Sequence, residues 1–102
     1  MALVNLDAVL ADTLRLVKKA EPLGGVLLLS YKRNRSIAVI RKNADTVEIR
    51  EQGYEQQVVE LGLEKMAKEL KVMMKREFPR SRKVRMVKLS DPAELEQERN
   101  IL

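Results

Sequence analysis

The sequence predicts an α+β domain. An antiparallel β-sheet, made of a three-stranded meander plus a later edge strand, packs against two helices in the order α-β-β-β-α-β-α. Three observations lead there. Val59, Leu63, Met66, Leu70 and Met73 recur at alternating spacings of four and three, and Ala67, Met74 and Phe78 widen the row into the apolar stripe of a helix. Val26 to Leu29 is an unbroken apolar run beside Gly24-Gly25, the pattern of a strand buried on both faces. Val47 and Ile49 alternate with polar residues, the pattern of a strand with one wet face.

Each element has its own signals. Leu6, Val9, Leu10, Thr13, Leu14 and Val17 form one face of a first helix over residues 6–20. Asn5 is placed to cap it, Val4 and Val9 to form a hydrophobic staple, and Lys18 and Lys19 to suit the dipole at its end. Glu21-Pro22 and Gly24-Gly25 stop it. Strands follow at 26–32, 37–41 and 46–51, joined by connections short enough to make each pair antiparallel.

After Gln52-Gly53 two readings compete. Residues 54–61 either begin the long helix, from about residue 56, or pair back as a fourth strand broken at Gly62. The stripe favours the helix; Gly62 and the off-stripe Leu61 and Val72 speak against it. On a helix Leu61 and Val72 lie on one line, which makes them a candidate partner-binding patch. Phe78-Pro79 ends the helix, and residues 84–89 (VRMVKL) read as an edge strand with interleaved charge. Asp91-Pro92-Ala93-Glu94 starts a short final helix at about residues 91–100.

A chain of 102 residues holds one domain, 1–102, and buries about two-thirds of its unfolded surface without metal or disulfide support. It contains neither Cys nor His, which excludes thiol chemistry and removes the usual general base and metal ligand. Asp45 with Glu48 could hold a hard cation loosely, but a turn and a solvated strand face are the better reading, and Glu94, Glu96 and Glu98 read as the solvated side of a helix. Gly24-Gly25 lacks the further residues of a phosphate loop or a dinucleotide fingerprint. The expectation is a non-enzymatic protein with no catalytic residues, metal or cofactor. The start of the chain carries Asp7 and Asp12 and no basic leader, and no apolar run is long enough to span a bilayer, so the cytoplasm is the expected location.

The net charge of +5 is distributed in blocks. Residues 30–42 carry +5, residues 43–64 carry −5, residues 71–88 carry +7 and the tail from 89 carries −3. The first basic block places Tyr31 beside Lys32, Arg33 and Arg35 at a hairpin tip. The second runs Arg80, Arg82, Lys83, Arg85 into the last strand. Cations sharing a surface bind phosphates, and a nearby ring can stack on an exposed base.

The order α-β-β-β-α resembles the topology of the double-stranded-RNA-binding domain and of the small RNA-binding proteins of the signal recognition particle Alu domain. The former grips phosphates with lysines at the start of its second helix, where this chain has Glu55, Glu60 and Glu64. The likeness is one of topology, and it carries no residue over.

Two functions are therefore expected. One is a binding module that contacts RNA or DNA phosphates through Lys32, Arg33, Arg35, Arg80, Arg82, Lys83 and Arg85, with Tyr31 stacking. The alternative is a homo-oligomer, or a subunit that binds an acidic protein, using the last strand or the Leu61–Val72 patch and having no nucleic-acid role.

Overall fold

Every third or fourth residue of the first helix is apolar, and that periodicity sets the architecture. The computed structural model describes residues 2–20, 22–30, 35–79 and 83–89. After a short strand β1 (Ala2–Asn5), helix α1 (Leu6–Lys19) buries Val9, Thr13 and Val17 along one line. Val4 joins the core that contains Val9, as the staple requires. Asn5 occupies the capping position, but it also ends β1 and its side chain makes no capping hydrogen bond.

Four strands follow: β2 (Gly25–Leu29), β3 (Ser36–Arg41), β4 (Thr46–Gln52) and β5 (Gln56–Gly62). One 3-10 turn at Leu63–Lys65 leads into helix α2 (Met66–Glu77), and β6 (Lys83–Leu89) comes last. The sheet order is β1-β6-β2-β3-β4-β5, with every neighbouring pair antiparallel. Because β1 and β2 both oppose β6, they run parallel to each other and α1 is the crossover between them.

Both helices pack on one face of the sheet. There Val26, Leu28, Ile37, Val39, Val47, Ile49 and Val84 meet Val9, Val17, Met66, Leu70, Met73 and Phe78. On the opposite face Leu27, Leu29, Ala38, Ile40 and Leu89 form a second buried cluster. This is why β2 is buried along its whole length whereas β4 alternates. Gly25 is required by close approach: a β-carbon there would overlap the carbonyl oxygen of Val39 on β3.

The α+β class and the antiparallel sheet on two helices are as the sequence predicts. Three details differ. Residues 56–62 are strand β5 and not the start of the helix. The last strand is not an edge, since β1 pairs with its outer side and β2 with its inner side. Leu61 lies half-buried on β5 and Val72 is exposed on α2, so the helical line that would join them does not exist. The final helix expected at 91–100 lies outside the described residues. No helix among the described residues is long and apolar enough to cross a membrane.

Candidate functional site

The strand register decides where the two basic segments go. Leu29, at the end of β2, pairs with Ser36 on one side and with Arg85 on the other. Just beyond it the Ser30 N–H donates to the Arg35 carbonyl at 3.0 Å, and the Arg35 N–H donates to Ser30 Oγ at 3.3 Å. Ser30 and Arg35, which bracket residues 31–34, therefore lie at the same end of the sheet as Lys83, which follows residues 80–82. The separation across β3, β2 and β6 is about 10 Å. Tyr31, Lys32, Arg33, Arg80 and Arg82 are outside the described residues.

At that end the described cations differ in role. Lys83 is exposed and Arg85 half-buried. Arg85 shares a cross-strand row with Leu29 and therefore faces away from the helices. Arg35 faces the helices. Its guanidinium stacks over the Tyr54 ring, 3.9 Å from the centroid, and donates to the Glu77 carbonyl at 3.3 Å. This holds the β4–β5 turn against the last turn of α2 and gives Arg35 a structural role.

Beneath Arg35 lies a buried ionisable cluster. Glu51 on β4 accepts from Arg76 Nε at 2.8 Å and Nη2 at 2.7 Å, and from Gln57 Nε2 at 2.8 Å. Burial would raise the Glu51 carboxyl, but the hydrogen bonds from Arg76, Glu77 and Gln57, with the charge of Arg76, outweigh it and hold it at about 2. The same pair pushes the Arg76 guanidinium up. Glu77 is raised, first by burial and then by its contact with Glu51, against the pull of two backbone donors. Those donors are the N–H groups of Tyr54 at 3.0 Å and Glu55 at 3.2 Å. Of the two acids, Glu77 is thus the one whose protonated form the fold favours.

Sequence motifs do not reveal this cluster, but two misplaced charges do. Glu51 continues the inward alternation of Val47 and Ile49, and Glu77 lies on the α2 stripe after Met66, Leu70 and Met73. Each acid stands where the pattern calls for an apolar side chain, so each needs a buried partner. Every oxygen of the two carboxylates is engaged, so the cluster clasps β4, β5 and α2 together.

On the other face of the sheet, Leu27, Ala38, Arg50 and Val58 line an open cavity of about 580 Å³. Its wall carries an ion pair, Arg50 Nε to Glu48 at 2.6 Å. Among the described residues no group of acids converges to hold a metal ion. No protein-family model, curated protein or solved structure matches the chain.

Proposed function

We propose that the protein is a non-enzymatic binding module that contacts nucleic-acid phosphates at the end of the sheet where β2 stops and β6 begins. The supporting observation is the pairing of Leu29 with both Ser36 and Arg85. It draws the flanks of two basic segments, about fifty residues apart in the chain, to one end of the fold. Cations brought together in this way bind by releasing condensed counterions, so affinity falls steeply with salt.

The test is a titration of labelled single- and double-stranded RNA and DNA at two salt concentrations. Lys32, Arg33, Arg82 and Lys83 are replaced together by Ala, and Arg35 is kept because its guanidinium braces Tyr54 and Glu77. The variant is expected to bind more weakly, with a salt slope shallower by about 0.9 for each phosphate it no longer neutralises. Unchanged affinity and slope would rule this surface out. A second reading, a self-associating subunit without a nucleic-acid role, is favoured by the open edge of β5.

A further inference from the structure

We propose that β5 is the seam of a homodimer in which two copies join their sheets edge to edge, about a two-fold axis at Val59.

In an antiparallel pair, successive residues of a strand turn their N–H and C=O groups alternately to one neighbour and to the other. The Leu63 N–H donates to the Asp45 carbonyl at 2.7 Å, and the Gly53 N–H donates to the Glu55 carbonyl at 3.1 Å. Both bonds lie on the β4–β5 register, which runs from Thr46 opposite Gly62 to Gln52 opposite Gln56. Gln57, Val59 and Leu61 therefore bond inward to β4. Gln56, Val58, Glu60 and Gly62 turn their backbone groups outward, where β5 ends the strand order. Among the described residues no strand pairs with that side.

Strands that stay at an edge are kept single by shortness, Lys, Pro or a bulge. The opposite edge, β1, has only 4 residues. β5 has 7, with no Lys, Arg or Pro, and it pairs with β4 over its full length without a bulge. Val58 on this strand is 64% exposed.

The strand is also complementary to itself. With Val59 opposite the partner's Val59, Gln56 faces the partner's Gly62 and Val58 faces the partner's Glu60. Every outward backbone group then finds a mate. Val59 meets its copy as a non-hydrogen-bonded pair, the closer of the two antiparallel spacings. On the face away from the helices, Arg50 already stands beside Val58 in the register. The partner's Glu60 arrives on the other side of Val58. The exposed valine is thus covered on one side by Arg50, which is paired with Glu48, and on the other by the partner's strand, and symmetry repeats the arrangement. A seven-residue edge without Lys, Arg or Pro that pairs with itself in register is carried by every copy of the chain, which singles out a second copy.

The experiment measures native mass by light scattering over a broad concentration series. The expected value approaches twice the 11.7 kDa of one chain. Val58→Pro removes only an outward-facing N–H, so it should give monomers with an unchanged circular dichroism spectrum. Glu60→Lys, which puts a lysine on the edge and sets the two copies' position-60 cations diagonally across the seam, provides a second dissociating variant should the proline perturb β4. The chain has no Cys, so Val59→Cys introduces a lone thiol that should cross-link rapidly under mild oxidation. Val58→Cys, displaced from the axis, should cross-link slowly. A mass of one chain at every concentration overturns the proposal. So does a dimer that survives both dissociating substitutions and fails to cross-link through position 59.

Discussion

Arg76 lays two guanidinium nitrogens against both carboxylate oxygens of Glu51, a residue with no exposed surface. A two-point bond of this kind fixes the azimuth of α2 over the sheet as well as its distance. Replacing Glu51 by Gln keeps the volume but leaves Arg76 facing a neutral amide. The variant loses the charge-assisted bonds to Arg76, whose partly exposed guanidinium can turn to water. A urea titration should therefore show Glu51→Gln with a lower midpoint and an unchanged m-value.

The two acids of the clasp respond to pH in opposite senses. Glu77 is raised above 4.5, so its support is complete below that pH and is lost as pH rises through its folded value. Glu51 is lowered to about 2, so its support is complete above 4.5 and is lost as pH falls toward 2. Glu77→Gln cannot ionise. Whatever its stability at pH 4.5, the gap between variant and parent should move in the variant's favour as pH rises from there. A gap that stays constant across that range would show that Glu77 is not raised.

Gly53 has no side chain because the Glu77 carboxylate occupies the place of one: a β-carbon there would overlap Oε1. Gly53→Ala should push Glu77 off the Tyr54 and Glu55 N–H groups and destabilise the β4–β5 turn. With Glu77→Ala already present the obstacle is gone, so the two losses should add to less than their sum. Strict additivity in a double-mutant cycle would disprove the contact.

Arg41 ties three segments together. Its guanidinium donates to the carbonyls of Val17 at 3.0 Å and Lys18 at 2.7 Å, closing the end of α1, and to those of Asn43 at 2.9 Å and Ala44 at 2.8 Å in the β3–β4 turn. Hydrogen bonds from a charged donor contribute about 1.5–3 kcal/mol. Arg41→Ala should cost at least one such bond's worth and raise amide exchange both at the end of α1 and in the turn. Lysine, with one ammonium in place of a planar fork, should recover only part of it.

Thr13 runs against the rest of α1. It is completely buried among apolar side chains, and its Oγ1 has no hydrogen-bond partner. Thr13→Val exchanges that hydroxyl for a methyl of similar shape and should stabilise the fold by about 1 kcal/mol. In a thermal melt that corresponds to a midpoint about 4–8 °C higher.

Most elements are legible in the sequence because their apolar periods are unambiguous. The 26–29 run, the Val47–Ile49 alternation and the stripe from Met66 to Phe78 each fit one secondary structure. Val59 and Leu63 do not, because a spacing of four fits two strand periods almost as well as one helical turn. Leu61, odd on a helix, is in phase with both on a strand, and the strand is what forms. β1 is not legible because four residues carry too little pattern, and without β1 the last strand reads as an edge. The clasp is half legible, since the sequence shows that Glu51 and Glu77 occupy apolar positions but not that they meet. Arg35 shows what the sequence leaves out: read there among the phosphate-binding cations, it also braces Tyr54 and the end of α2, a contact with no sequence signal.

The placement of β6 between β1 and β2 has a consequence for how the chain is made. Strands β2 to β5 are sequential neighbours and can assemble as each leaves the ribosome, whereas β1 waits for a partner that lies beyond residue 82. Until then β2, the most apolar strand, keeps one side bare, and such long-range closure slows folding and leaves the nascent protein prone to aggregate. Of the described strands, the last to be synthesised is the one that locks the first into place.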